Sequence, residues 1–214
     1  MGLSAQQLRS SLDALAAIEP AFGRALARAG YPEPRIRERG YETLLRTIVG
    51  QQVSVAAASS IWRKLEAAVG AGLRPDLVAA ASDELLRSAG LSRQKIAYAR
   101  SLAEIVVSGE LDLARLPADD EEAIAALTRI KGIGRWSAEI YLLFAEGRAD
   151  VWPAGDLAVQ VEIGRIMGLE DRPSEKATRA LAQEWRPHRG AAAIFTWHHY
   201  GHRIRTDAAT KLPV

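Results

Sequence analysis

Apolar residues recur along this chain at helical rather than strand spacing. Leu8, Leu12 and Leu15 make one stripe behind Ser4, a hydroxyl placed to cap a first helix that ends at Glu19-Pro20. Phe22 and Leu26 mark a short second helix closed by Gly30, and Tyr31-Pro32-Glu33-Pro34 reads as a stiff connector. Leu44, Leu45 and Ile48 define a helix that begins at Tyr41. After the break Gly50-Gln51-Gln52-Val53-Ser54, the stripe Val55, Ala58, Trp62, Leu65 and Val69 predicts a helix capped by Ser54 and closed by Gly70. Ser82, Asp83 and Glu84 open another, ended by Gly90, with the acids where the helix dipole favours them. Ser92 starts the next, with Ile96, Ala99, Leu102 and Val106 on one face, ended by Gly109. The acidic run 119–122 opens a helix carrying Ile124 and Leu127. Leu157, Val161, Ile163 and Ile166 outline a further one, followed by helical patterns over 174–185 and from 190 to about 202. No alternating run is long enough for a strand, and no repeat is evident. The expected fold is all-α, with around ten helices.

One interruption of the helical period carries chemistry. Leu127 and Ile130 keep the period, Lys131-Gly132-Ile133-Gly134 breaks it, and Trp136, Ile140, Leu143 and Phe144 resume it on a second helix. Two helices joined by a Gly-x-Gly turn form a helix–hairpin–helix. The glycines let the backbone turn sharply and approach another surface with no Cβ in the way. The second helix aims its first N–H groups and its positive dipole end out of the turn, toward an anion, with Lys131 and Arg135 beside that point. A DNA phosphate satisfies the arrangement, and an ordinary glycine-capped helical turn produces the same pattern. Twenty residues beyond Trp136, Trp152-Pro153-Ala154-Gly155-Asp156 places one carboxylate after a rigid turn and at the head of a helix. An N-cap accounts for that aspartate, and a cap also fixes a carboxylate as rigidly as catalysis requires.

Three segments taken together, the hairpin from Ile130 to Trp136, Asp156 at this spacing, and Ile48-Val49-Gly50-Gln51-Gln52-Val53-Ser54-Val55, resemble a known family. It is the helix–hairpin–helix–Gly/Pro–Asp superfamily of base-excision DNA glycosylases, in its 3-methyladenine DNA glycosylase II (AlkA-like) branch, over roughly residues 40–205. The resemblance implies two helical lobes with the active site in the cleft between them. Lobe one is approximately 1–40 plus 150–214, and lobe two approximately 41–149, with the hairpin at 124–145. It implies that Asp156 is the catalytic carboxylate and that Gln52 fills the gap left by a nucleotide rotated out of the duplex. Gln51 and the backbone at Val53 and Ser54 then lie against the DNA, while Lys131, Gly132, Ile133, Gly134 and Arg135 hold a phosphate. Trp136 borders the base pocket. Four residues past Trp136, where some relatives carry an aromatic, this chain has Ile140. The remaining pocket walls are therefore expected among Tyr141, Trp152 and Trp185. The resemblance further implies a K⁺ or Na⁺ held by the carbonyls of Thr128, Ile130 and Gly132.

The implied chemistry is consistent with these residue types. Cleaving a glycosidic bond develops positive charge on the deoxyribose, and a fixed anion stabilises it where it appears. A purine alkylated at N3 or N7 is already a cation, leaves without a general acid, and is attracted to aromatic faces by roughly 0.5–2 kcal/mol. Branches that also cut the DNA backbone carry a lysine at the position of Trp136 and form a Schiff base; an indole offers no such nucleophile. The expectation is a monofunctional glycosylase. A bifunctional glycosylase/lyase and a non-catalytic helix–hairpin–helix DNA-binding module are the competing readings. Trp136 as ordinary core, and Gln51-Gln52 as an ordinary polar loop, remain open as well.

Composition narrows this only in part. Of 214 residues, 48% are hydrophobic and 25% charged, as in a soluble globular protein large enough for a full core. A net charge of +2 permits nucleic-acid binding without requiring it. The absence of cysteine excludes disulfides and a cysteine-ligated iron–sulfur cluster. His198 and His202 fall at metal-ligand spacing beside His199, but no Glu stands at the HExxH position and no third carboxylate is evident. They read, with Arg186, Arg189, Arg203 and Arg205, as a basic face rather than a zinc site. No signal pattern and no apolar run near ~18 residues is present. The expected protein is intracellular and monomeric, needs no cofactor, and acts on double-stranded DNA containing alkylated bases, with no membrane partner.

Overall fold

The structure, a computed structural model, describes residues 2–210, with side chains described to residue 206. The described residues hold helices and no strands. The chain divides into two compact units, one of residues 1–36 and 142–214, the other of residues 37–141.

The 37–141 unit contains α3 (Tyr41–Gly50), α4 (Val55–Val69), α5 (Pro75–Ala80), α6 (Asp83–Ser88), α7 (Arg93–Val107), α8 (Asp120–Thr128) and α9 (Arg135–Tyr141). Helix α7 packs against both α3 and α5. Its buried face, Ile96, Ala99, Leu102 and Ala103, joins Leu44, Leu45, Ile48 and Val49 of α3 in the core. Burying each of the larger aliphatic side chains is worth about 1.5–3 kcal/mol. The serines read as caps do cap: Ser54, Ser82 and Ser92 accept from the backbone N–H three residues on, at 3.2, 3.2 and 3.3 Å. Such caps are worth about 1 kcal/mol each. One expectation changes, and one helix is new. Val55 heads the predicted α4 stripe but is 85% exposed, and α4 buries only Trp62 and Leu65. Helix α5 is too short to show a period; it starts at Pro75 and buries a single Val78.

The other unit contains α1 (Ala5–Ile18), α2 (Pro20–Ala29), a π-helical turn (Leu142–Glu146), α10 (Leu157–Ile166), α11 (Glu175–Leu181), a 3-10 turn (Ala182–Trp185) and α12 (Arg189–Thr210). Ser4 and Gln7 form a reciprocal capping box at α1. Leu8, Leu12 and Leu15 are buried with Phe22, Trp185 and Phe195. Phe22 meets Trp185 edge-on with centroids 5.1 Å apart, a favoured aromatic geometry. The last helix runs past the expected end near 202, because no glycine or proline follows Gly201 until Pro213. The α10 stripe is also rotated from expectation: Leu157 is exposed, while Val159, Glu162 and Ile163 are buried.

Candidate functional site

The hairpin turn is built on one obligatory glycine and one open one. Gly132 has φ +83°, and a Cβ there would lie 2.2 Å from Cδ2 of Tyr98, so the turn rests directly on that ring. At Gly134 a Cβ would meet nothing within 4 Å. The outer side of the turn is therefore clear for a guest at the point where α9 starts and its dipole is positive. Ile133 is buried, and its N–H donates to Ile130 O at 3.0 Å. The Lys131 side chain is exposed, while its backbone N–H donates to Ser101 Oγ at 3.0 Å.

Arg135 departs from its expected role. Its guanidinium donates to both carboxylate oxygens of Glu121, and its Nε donates to Glu139 at 3.0 Å. Glu139 is buried, so Arg135 neutralises an interior charge instead of reaching freely for phosphate.

Gln51 and Gln52 behave differently from each other. Gln51 Nε2 donates to the carbonyl of Gly132 at 2.8 Å, tying the loop after α3 to the hairpin turn. Gln52 is exposed and holds φ +56°, a left-handed conformation rare for a residue with a side chain. Val53 and Val55 beside it are exposed as well. A cavity of about 840 Å³ in the same unit is lined by Arg37, Arg39, Arg46, Gln52, Trp136 and Ile140, among others. Trp136 is 47% exposed, which removes its reading as core. Arg46 pairs with Glu42 at 2.8 Å and stacks on Trp62.

Asp156 sits in the other unit, at the end of a strapped turn. Ala154 N–H donates to Trp152 O at 2.8 Å, Asp156 N–H to Pro153 O at 2.9 Å, and the buried Gln160 side chain to Ala154 O at 2.8 Å. Asp156 Oδ1 accepts from Val159 N–H at 3.0 Å, the N-cap bond of α10. The same oxygen accepts from Trp197 Nε1–H at 3.3 Å. Trp197 belongs to α12 and its ring leans on Phe144, centroids 5.6 Å apart. Sequence reasoning missed Trp197, since a partner 41 residues away leaves no local signal.

The rings expected beside Trp136 are interior. Tyr141 is 3% exposed, and its hydroxyl accepts from Gly40 N–H at 2.8 Å. Trp152 is 2% exposed, donates to Thr178 O at 3.2 Å and meets Trp185 edge-on. Neither these two nor the buried Trp185 presents a face to solvent; each is occupied in holding its own unit together.

Of the residues expected to form a basic face, Arg186, Arg189, His198, His199 and Arg203 are engaged. Arg186 and Arg189 pair with Asp150 at 3.1 and 2.8 Å, and His198 Nε2 is 2.8 Å from Ala29 O. His199 Nδ1 lies 2.7 Å from Oε1 of Glu162, a fully buried carboxylate, with Arg203 at 3.5 Å and Arg165 at 3.6 Å. Burial alone would push the Glu162 carboxyl up. The His199 hydrogen bond and the charges of Arg203, His199 and Arg165 together outweigh it and hold the group below its ordinary value. Among the described residues no set of three His, Cys, Asp or Glu side chains is grouped to hold a metal.

Residues 45–188 match the family described as HhH-GPD superfamily base excision DNA repair protein. The DNA-3-methyladenine glycosylase 1 of Schizosaccharomyces pombe is 32% identical, over 75% of this chain and 72% of that one. A Bacillus subtilis protein, YfjP, is 28% identical over 73% of this chain and spans 58% of its own length in the match. Among solved structures, a DNA-3-methyladenine glycosidase from Bacillus halodurans superposes with a TM-score of 0.84 at 32% identity, covering 91% of each chain. The Schizosaccharomyces pombe 3-methyladenine DNA glycosylase Mag1, in complex with abasic DNA, gives 0.72 at 28% identity, over 89% of this chain and 95% of that one. The hairpin, the strapped turn and Asp156 all lie inside the matched span, and the chain belongs to the HhH-GPD superfamily of base excision DNA repair proteins.

Proposed function

We propose that this protein is a monofunctional DNA glycosylase of the 3-methyladenine type, which rotates alkylated purines out of duplex DNA and hydrolyses their N-glycosidic bond. The observation that carries the reading is the carboxylate of Asp156, held by Val159 N–H and Trp197 Nε1–H at the end of a hydrogen-bonded turn. The C1′–N bond breaks with its electron pair leaving on the base. For a purine methylated at N3 or N7 this neutralises the cationic ring, so no acid need protonate it. The positive charge left on the deoxyribose is opposed by Asp156, a term commonly worth roughly 3–4 kcal/mol when preorganised. Water adds at C1′ and passes its proton to the carboxylate or to solvent.

The other residues supply recognition. The amides opening α9 bind a backbone phosphate without reading sequence. The exposed Gln52 enters the duplex in place of the extruded nucleotide. Trp136 offers a π face to a cationic base. Because Trp136 stands where an amine nucleophile would be needed, the enzyme hydrolyses and does not cut the backbone. The protein works as a monomer on double-stranded DNA. The carbonyls of Thr128, Ile130 and Gly132 are neutral hard oxygens that fit a structural K⁺ or Na⁺. Those of Ile130 and Gly132 each accept one hydrogen bond, from Ile133 N–H and Gln51 Nε2, which leaves each a further lone pair. Such an ion would brace the turn and take no part in bond cleavage.

The test is incubation with methylated duplex DNA and chromatography of the released bases. Release of 3-methyladenine or 7-methylguanine is expected. Duplex binding with no release of any base would make the protein a non-catalytic binding module instead.

A further inference from the structure

Lys95, Tyr98 and Ser101 stand at i, i+3 and i+6 of α7, along one helix face. Each holds a different part of the candidate DNA-binding surface. Lys95 Nζ donates to the carbonyl of Val49 at 2.7 Å, near the C-terminal end of α3, where the helix dipole favours a cation. Tyr98 supports Gly132, and Ser101 Oγ receives Lys131 N–H at 3.0 Å. Gln51 closes the circuit through its 2.8 Å bond to Gly132 O. One face of α7 therefore anchors the hairpin turn and the end of α3, and Gln51 joins the two. Gln52 follows directly on the last residue of this circuit, Gln51, and holds φ +56°. A glutamine stays in that region only where its surroundings over-determine it.

We propose that Lys95 is a positioning residue for Gln52: its ammonium fixes the end of α3 so that the next residues hold Gln52 in the left-handed conformation that projects its side chain outward. The inference rests on the wedge role given to Gln52 above. Lys95 is half-buried, and burial pushes its amine below the ordinary lysine value, so the charge is kept there against desolvation. A surface phosphate-binding lysine would gain nothing from such a position. The bond to Val49 O explains why a charge is retained.

The test compares Lys95→Met, which keeps the stem and loses the donor, with Lys95→Arg, which keeps a cationic donor. Single-turnover base release, fluorescence of 2-aminopurine placed beside the lesion, and affinity for undamaged duplex are measured for each. Lys95→Met should slow release and flipping about tenfold, the scale of one charge-assisted hydrogen bond, while duplex affinity stays within about twofold. Lys95→Arg should recover most of the loss. In a Gln52→Ala background, Lys95→Met should cost nothing further, because the two act in series. Additive losses in the double variant, or a fall in undamaged-duplex affinity as large as the fall in release, would overturn the proposal. Should wild-type protein release no base, the glycosylase reading fails separately. Hydrogen exchange then decides the positioning claim: Lys95→Met should speed exchange of the amides of residues 51–53, and unchanged exchange there overturns it.

Discussion

Asp156→Asn replaces one carboxylate oxygen by an amide nitrogen and removes the charge. The retained Oδ1 can still accept from Val159 N–H and from Trp197 Nε1–H, now 3.0 and 3.3 Å from the carboxylate oxygen. Asparagine caps helices about as well as aspartate, so unfolding free energy should change by less than about 1 kcal/mol. Asp156→Ala differs, losing the cap and the Trp197 acceptor together, for about 2 kcal/mol of destabilisation. The catalytic consequence is larger than either. Without the anion, the charge developing on the deoxyribose goes unopposed, and release should fall by about two to three orders of magnitude. Duplex affinity should hold or rise, since a charge of the same sign as phosphate is gone. Single-turnover release from methylated DNA, fluorescence anisotropy with a labelled duplex and thermal unfolding together read all three quantities. Near-wild-type release of 3-methyladenine by Asp156→Asn would refute the reasoning, and so would its unfolding. The leaving group adds a finer check. Hypoxanthine is uncharged in the nucleotide and leaves as an anion unless it is protonated, so it needs more help than 7-methylguanine, which leaves neutral, and its release should suffer at least as much; the reverse order would mean that Asp156 does not act on the sugar charge.

The two hairpin glycines should separate stability from binding. Gly132→Ala, at φ +83° and against Tyr98, should cost about 2–3 kcal/mol in thermal or urea unfolding. Gly134→Val, with open space around it, should leave stability within about 1 kcal/mol yet weaken binding to damaged and undamaged duplexes alike. Unchanged duplex affinity in Gly134→Val would make the hairpin a mere turn. Glu162 predicts an acid limit: its folded carboxyl is held below the ordinary glutamate value, so its contribution is complete above that ordinary value and is lost as pH falls through the lowered one. Glu162→Gln should therefore be less stable than wild type at neutral pH but lose less on acidification, and parallel curves would contradict the assignment. Wild-type protein should form no borohydride-stable adduct with abasic DNA, and a trapped adduct would contradict the monofunctional reading.

Features written into neighbouring residues were legible in the sequence. A serine before an apolar run predicts a cap because donor and acceptor are three residues apart, and Ser54, Ser82 and Ser92 all form one. The hairpin and the aspartate turn were visible for the same reason. Features made by distant partners were not. Arg135 looked like a phosphate ligand because Glu121 and the buried Glu139 could not be known to surround it. Trp152 and Tyr141 looked like pocket walls because a single tryptophan or tyrosine carries no sign of which way it faces. Trp197 was missed although it bonds the same oxygen that caps α10. Val55 shows the converse error, an apolar residue in register with a buried stripe but placed on the first turn, beyond the core.

The seating of Gly132 on Tyr98 bears on how such a protein would find a rare lesion. If the hairpin holds phosphate as proposed, a turn seated on a ring in this way would offer it the same amide geometry at every base-pair step. Its contribution to attraction is then uniform along the duplex, and a uniform attraction adds no barriers to one-dimensional diffusion. Sliding is limited by how many counterions are displaced and recovered, hence by salt, and not by sequence. A softer turn would adapt to each local backbone shape and dwell where the fit happened to be good. Under the proposed function, the seating of one glycine would thus separate travel from inspection, leaving the pause to whichever side chain tests the stack.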